Sequence, residues 1–397
     1  MKSNYKRLGN YIKEVNLRNK DLEGKTLLGV SIQKVLMPSI ANIIGTDMST
    51  YKIIRKDQFA YGPVTSRNGD KISVALLTDY EEAIISQAYT SFEITDTAEL
   101  LPEYLMMWFR RSEFDRYTRF MSHGSAREVF GWEEMCNVGL PVPDIEKQKE
   151  IVNEYKVITD RIERNKDLIK TLEKTAKAIY KQWFIYFEFP NENGQPYKSS
   201  GGKMVYNEEL AKDLPKDWKY EDLGANTIIT AGGDKPKIFS DTEKDNYKIP
   251  IYSNSTFNEG LFGYTNEAKV FKKSITISAR GGIGYTSLRI RPFVPIVRLI
   301  VIIPKYEYQL NYLFNCVNNF EYDDVASAQG QLTIPDISSY KVIIPESEIL
   351  KKYQKINFDF IRYMDTKKTE IQKLEKLKNI VLSEITKVEL FKIEQTI

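Results

Sequence analysis

The amino-acid sequence predicts an α+β fold built twice over, in which two mixed domains alternate with two long helices. Three observations predict it. First, "LEK" at 172–174 recurs at 374–376, an offset of 202 residues that also lays Pro143 on Pro345, Lys166 on Lys368 and Ile169 on Ile371. Second, each copy carries an apolar stripe whose spacing alternates four and three, the pattern of a coiled-coil seam. Third, "PNENGQPYKSSGGK" at 190–203 is rich in Pro, Gly, Asn and Ser, a composition that suits a linker between independent units.

The repeat keeps register without a gap from 124–184 onto 326–386. "GSAR" at 124–127 falls on "ASAQ" at 326–329, Met135 on Ile337 and Val142 on Ile344. Upstream the register drifts, as insertions in variable domains would cause. "SRNGDK" at 66–71 resembles "SARGGI" at 278–283, and Leu8-Gly9 resembles Leu223-Gly224. These landmarks divide the chain into a first mixed domain over 1–142, a helix over 143–189, a linker over 190–207, a second mixed domain over 208–345 and a second helix over 346–397.

The first helical seam runs through Ile151, Tyr155, Ile158, Ile162, Asn165, Ile169, Leu172, Ala176, Ile179 and Trp183. Its copy runs through Tyr353, Asn357, Phe360, Met364, Lys367, Ile371, Leu374, Lys378, Val381 and Ile385, and is weaker because Asn357, Lys367 and Lys378 interrupt it. One such stripe would serve equally well to dock a helix on a globular core. Two copies in one chain favour pairing with each other. At about 1.5 Å per residue, a helix of roughly 38 residues is on the order of 57 Å long. Two of them packed antiparallel form a rigid spacer with one domain near each end. Asp144 stands where an N-cap belongs, with Glu146 in the first turn. The aromatic end of the first helix, Trp183 and Phe184, is a candidate anchor for a partner subunit or for the adjoining domain.

Composition narrows the function classes. The 397 residues hold 57 Lys and Arg against 54 Asp and Glu, a net charge of +3 that permits an acidic partner without establishing one. No apolar run reaches the length of a membrane span, and "MKSNYKRLGN" lacks the apolar stretch of a signal peptide. Cys136 and Cys316 are the two cysteines, which fits a reducing cytoplasm better than a disulfide framework. His123 is the sole histidine, so two-histidine metal sites are excluded. There is no GxxxxGK[ST] phosphate loop, and "GGIGYTS" at 281–287 reads as a tight turn after the strand "SITIS". No Asn-Pro-Pro-aromatic stretch of the kind used by amino-methyltransferases occurs. No catalytic and no metal-ligating residue is therefore expected in this chain.

The mixed domains carry a different signal. "AYGPVTSRNGDKISVALL" at 60–77 reads as strand, polar turn, strand, with Arg67, Asn68 and Lys71 at the tip. Arg and Asn make two-pronged hydrogen bonds to guanine and adenine edges. A helix follows over 101–130, in which Arg110, Arg111, Arg116 and Arg119 either neutralise phosphates or pair with Glu113 and Asp115. The polar loop "MSHGSAR" at 121–127 adds His123, Ser125 and Arg127. The second domain repeats the plan with other letters. Arg280 sits at the tip of "ITISARGGIGYTSLRIR", with Arg289 and Arg291 after it, and Gln329 and Gln331 stand in the loop that matches Arg127. Glutamine prefers adenine edges where arginine prefers guanine, so the two domains read as unlike heads on like scaffolds.

The runs "LPVPDIEKQKEIV" and "RIERNKDLIKTLEKTAKAIYKQWFIYFEF" strongly resemble the central helix of specificity (S) subunits of type I restriction–modification systems. "SAQGQLTIPDISSYKVIIP" resembles the end of their target-recognition domains. The resemblance covers essentially the whole chain. It implies a non-catalytic subunit with two target-recognition domains related by a pseudo-twofold repeat and separated by two antiparallel helices. It further implies that each domain reads one half of a bipartite double-stranded DNA target, and that the helices set the gap. Two methyltransferase (M) subunits would supply adenine-N6 methylation with S-adenosylmethionine, and two restriction (R) subunits would supply cleavage with ATP and Mg²⁺. The rival readings are a catalytic nuclease or methyltransferase, a coiled-coil scaffold, and a DNA-binding protein that works without methyltransferase partners.

Overall fold

The computed structural model describes residues 5–22, 26–39, 45–66, 68–69, 71–123, 128–322 and 330–386. The chain divides into two compact units. Unit 1 takes Met1–Lys166 together with Lys368–Ile397, and unit 2 is the continuous run Asp167–Lys367. Each unit thus combines a mixed domain with one end of each long helix.

Each unit is built on a four-stranded antiparallel sheet. In unit 1 the strands lie in the order Ile12–Val15, Thr90–Ile94, Phe59–Tyr61, Val74–Leu76. In unit 2 the order is Thr227–Ala231, Ile300–Pro304, Ser274–Ile277, Thr286–Arg289. Both follow the chain order first, fourth, second, third. The inner strands Phe59–Tyr61 and Ser274–Ile277 are buried at every residue, because helices and a second layer cover both faces. A short strand pair closes each domain just before its long helix, Tyr5–Arg7 with Gly139–Pro141 and Lys219–Asp222 with Lys341–Ile344.

The Leu-Gly repeat has a physical cause. A Cβ on Gly9 would lie 2.9 Å from Cys136 Cβ, and one on Gly224 would lie 1.9 Å from Ser338 Oγ. Cys136 and Ser338 are themselves 202 residues apart, in the equivalent short helices Trp132–Asn137 and Ile334–Ser339. Glycine is kept at both places because the backbone must approach a helix closely.

The units differ in their second layer. Unit 1 adds a five-stranded sheet, Leu17–Arg18, Lys52–Arg55, Glu82–Ile85, Leu27–Val30, Leu36–Pro38, whereas unit 2 adds three strands, Leu261–Thr265, Ile249–Tyr252, Val294–Pro295.

The long helices span Ile145–Tyr180 and Ser347–Glu384. Asp144 caps the first by accepting from Lys147 N at 2.9 Å. Every seam position is buried or half-buried in both helices, while most residues between them are exposed. In unit 1, Ile151, Ile158 and Ile162 share a core with Val381, Leu382 and Ile385, and Arg161 Nε meets Glu370 Oε1 at 2.6 Å. In unit 2, the Trp183 and Phe184 rings lie 5.7 and 4.8 Å from that of Tyr353. Within each unit, later residues of one helix therefore sit with earlier residues of the other, which is antiparallel pairing.

Trp183 and Phe184 are 8% and 3% exposed core residues of unit 2, so of their two candidate roles the structure shows the anchor to the adjoining domain. A π-helical turn over Lys181–Ile185, closed by Tyr186 N to Lys181 O at 2.9 Å, lets two adjacent rings turn inward together. The stretch 190–203 is also folded rather than a free linker. Tyr197 stacks on Phe189 at 4.5 Å, Phe189 stacks on Trp218 at 5.2 Å, and Ser199 Oγ donates to Glu188 at 2.6 Å. Met204–Asn207 then pairs as a strand with Lys212–Pro215. Among the described residues, no helix is long and apolar enough to cross a membrane.

Candidate nucleic-acid interface

In unit 1 the polar turn joining Phe59–Tyr61 to Val74–Leu76 is held by one helix face. The helix read over 101–130 is in fact two, Pro102–Phe109 and Ser112–Met121, broken at Arg110-Arg111. From the second, Asp115 Oδ1 accepts from Ile72 N at 3.2 Å and Arg119 Nη1 donates to Gly69 O at 3.3 Å. Just beyond it, Thr65 Oγ1 donates to Ser122 Oγ at 2.9 Å. Positions 115, 119 and 122 follow the spacing of a single helical face, so the turn is strapped at its start, tip and end.

Asp115 has a second partner. Lys34 Nζ, from the turn before Leu36–Pro38 of the five-stranded sheet, lies 2.8 Å from Asp115 Oδ1, and both side chains are buried. Burial pushes the Lys34 ammonium below its ordinary range, while the Asp115 carboxylate opposes that shift.

The strand end and the loop after the helices are joined as well. Phe130 N donates to Pro63 O at 2.8 Å, and Thr65 N donates to Glu128 O at 3.0 Å. The corresponding bond in unit 2 is Leu332 N to Ala279 O at 3.0 Å, with Leu332 lying 202 residues after Phe130. Two segments that the sequence marked separately, turn and loop, thus form one surface in each unit.

Asn68 is half-buried, with Nδ2 donating to Val64 O at 3.4 Å, and Lys71 is exposed. His123 exchanges both backbone hydrogen bonds with Val129, at 3.1 and 2.9 Å, and its side chain is exposed. Arg67, Ser125, Arg127 and Gln329 lie outside the described residues. The arginines of the helical segment are mostly committed within the unit. Arg111 is buried 4.4 Å from the Trp108 ring, Arg116 pairs with Glu113 at 3.4 Å, and Arg119 pairs with Glu128 at 2.9 Å.

In unit 2 the turn "ARGGIG" is closed by Gly284 N to Ser278 O at 3.0 Å, with Gly284 at φ +83°. Arg280 is exposed, and its Nε and Nη2 both donate to Gln331 Oε1, at 2.8 and 2.5 Å. The pair therefore occupies its carboxamide oxygen internally and presents N–H donors. Arg289 is buried, stacked 3.6 Å from the Tyr252 ring and bonded to Thr276 Oγ1 at 3.0 Å, so it braces the sheet. Arg291 pairs with Asp365 on the second long helix at 2.5 Å.

The sequence missed Asn254. Its Oδ1 accepts from Ala279 N at 2.8 Å and its Nδ2 donates to Val297 O at 2.5 Å, fixing the turn against the three-stranded layer. Nothing local in "SNST" marks it, because its partners stand 25 and 43 residues away. Among the described residues, no group of three or more His, Cys, Asp or Glu side chains is placed to hold a metal ion. The arrangement offers hydrogen bonds and charge, held on rigid turns.

The family described as "Type I restriction modification DNA specificity domain" matches residues 215–381. A putative type I specificity subunit of Mycoplasma pneumoniae is 29% identical over 239 residues, which is 60% of this chain and 58% of that protein. The specificity subunit of the type I restriction enzyme MjaIX of Methanocaldococcus jannaschii is 26% identical over 308 residues, or 72% of this chain and 68% of that one. The crystal structure of a type I restriction–modification S subunit from M. genitalium shares the fold, with a TM-score of 0.64 at 16% identity, covering 96% of this chain and 95% of that one. The chain is thus similar to specificity subunits of type I restriction–modification systems, by the family match over 215–381 and by curated relatives, and it shares their fold along nearly its whole length.

Proposed function

We propose that this chain is the DNA-reading subunit of a type I restriction–modification complex, with unit 1 and unit 2 each reading one half of a bipartite, asymmetric duplex target. The observation that carries the reading is the duplicated strap, Phe130 N to Pro63 O and Leu332 N to Ala279 O, which holds unlike polar tips on like scaffolds. Direct readout needs such tips, because base edges are distinguished by donor and acceptor patterns in the major groove. The Arg280–Gln331 pair, with its oxygen engaged, offers donors that suit the acceptors O6 and N7 of guanine. Reading adenine with Gln331 would require that oxygen to be released first.

Sequence-specific methylation at adenine N6 would be supplied by two M subunits using S-adenosylmethionine. Cleavage would be supplied by two R subunits using ATP and Mg²⁺, all of it in the cytoplasm. The net charge of +3 is weak for solo binding of a polyanion, so tight binding is assigned to the assembly with M subunits.

The paired helices set the gap between half-sites. Deleting one heptad from each helix shortens it by about 10 Å. At about 3.4 Å per base pair the gap should contract by about three base pairs. Methylation sequencing of a host that carries the shortened chain with its M partner should return unchanged half-sites with a smaller gap. An unaltered gap would overturn the spacer role, and methylation independent of this chain would overturn the reading as a whole.

A further inference from the structure

Unit 1 contains a cavity of about 240 Å³, and all of its lining residues belong to that unit. Two helices form facing walls. On each, the lining positions advance by three, one and three residues, from 103 to 110 on the helix Pro102–Phe109 with its C-cap, and from 152 to 159 on the first long helix. Such positions share one helical face. Met106, Met107 and Val152 make these walls apolar, and Leu36 and Leu76 close a third side. Native interiors are close-packed and seldom leave a void larger than a water molecule. A cavity of about 150 Å³ already holds a benzene, so this one has room for a small ring system.

One wall carries a charge that the unit does not neutralise. Arg110 lines the cavity and is half-buried. The acids of the neighbouring segment are taken, Asp115 by Lys34, Glu113 by Arg111 and Arg116, and Glu128 by Arg119. Among the described residues, Arg110 has no ion pair. Tyr155 faces the same space, and burial pushes its phenol above the ordinary range while the Arg110 charge opposes that shift. The phenol therefore keeps its proton and remains a donor. Glu103 and Asp79 are exposed at the rim, where exposed Lys156 offsets one of them. Rim carboxylates oppose a phosphate backbone with its closely spaced charges, but not a single anionic group seated on the half-buried guanidinium. In unit 2 the long-helix position matching Lys156 is Phe358, 202 residues on, and Lys273 Nζ lies 4.4 Å from its ring. The scaffold therefore does not require this site; it arises from the residues that unit 1 sets around it.

We propose that this cavity binds a small amphipathic anion, a carboxylate or sulfonate on a compact apolar body, with Arg110 and Tyr155 as its polar partners. The occupant acts on the turn over 65–72. Lys34 and Leu36 stand on the cavity wall, Lys34 Nζ donates to Phe109 O and pairs with Asp115, and Asp115 accepts from Ile72 N at 3.2 Å. A ligand packed against that wall holds Lys34 in place and steadies the turn. The consequence for DNA rests on the reading function proposed above, whereas the site itself does not.

The test uses the full chain without DNA, titrated by calorimetry with 2-naphthoate and with its uncharged analogue 2-naphthamide. One naphthoate should bind per chain, roughly ten- to a hundredfold more tightly than the amide, and exchange of the Ile72 amide should slow at saturation. Arg110→Gln should erase the preference while still binding the amide, and Val152→Phe, which fills the cavity, should lose both ligands. Arg110 is half-exposed, so its variant keeps the fold even if Val152→Phe does not. The proposal is overturned if the parent binds the two ligands equally, if Arg110→Gln keeps the preference, or if a folded Val152→Phe still binds naphthoate. It is overturned equally if adding the M partner expels naphthoate, which would make the cavity a protein contact. Unchanged Ile72 exchange at saturation would overturn the action on the turn. Naphthoate binding with no DNA recognition by the assembled complex would sink the reading function and leave the site standing.

Discussion

Units 1 and 2 share a sheet order, a strap and a glycine-to-helix approach, yet they hold their tips by different means. Unit 1 relies on a buried ion pair, Lys34 with Asp115, whose carboxylate also secures the turn at Ile72 N. Unit 2 relies on a carboxamide, Asn254, and on a buried guanidinium, Arg289, stacked on Tyr252. The four-stranded sheet and the paired helices are common property, and the second layer, with five strands in one unit and three in the other, is where variation is stored. In each unit one partner of the tip fixation comes from the variable layer, Lys34 in unit 1 and Tyr252 with Asn254 in unit 2, while the other comes from the helix or sheet beneath it, Asp115 or Arg289.

The largest effect should come from breaking the unit 1 device. Asp115→Ala leaves the Lys34 ammonium buried without its carboxylate and should cost about 3–5 kcal/mol. Trp108 and Trp132 report on unit 1, and Trp183 and Trp218 on unit 2. Urea unfolding followed by amide exchange should therefore show unit 1 opening early with unit 2 unchanged. Equal loss in both units would mean that the devices are not independent. A smaller effect is expected at the tips. Asn68→Ala and Arg280→Ala should each weaken one half-site and spare the other, by about 1–3 kcal/mol if the contact is to a base edge. Binding titrations on duplexes altered in one half at a time separate that outcome from a uniform loss, which would mark phosphate contacts. The smallest effect concerns the seam. Asn165 is 3% exposed and its Nδ2 lacks a hydrogen-bond partner among the described residues. Asn165→Leu should stabilise unit 1 by about 1 kcal/mol in a thermal melt, and a destabilised variant would show that the asparagine is satisfied by its surroundings.

The helices were legible because periodicity maps directly onto burial: from Ile151 to Trp183, every predicted seam residue is sheltered. The hairpins at 59–76 and 274–289 were legible for the same reason, since polar turns interrupt apolar strands. What escaped were facts that depend on distant partners. Trp183 and Phe184 end an amphipathic helix and suit either a partner subunit or the adjoining domain, and it is the π-helical turn and Tyr353, far along the chain, that decide for the domain. The Pro/Gly-rich stretch looked free because its composition says nothing of Trp218 waiting to stack on Phe189. The sequence places Arg289 only as a residue following the tip, and it is Tyr252 and Thr276 that make it a buried brace. Its spacing from Arg280 along the chain carried no hint of which of the two faces water.

The core of unit 1 contains Val381, Leu382 and Ile385, packed in one cluster with Ile151, Ile158 and Ile162. During synthesis, the first of these groups emerges roughly 200 residues after the second, a delay on the order of 10–40 s at typical translation rates. The domain made first is therefore completed last. Throughout that interval one face of the first helix stays unpaired and apolar, open to a chaperone or to a second nascent chain. Ribosome pausing late in the message would lengthen the exposure of a domain whose own codons were read long before.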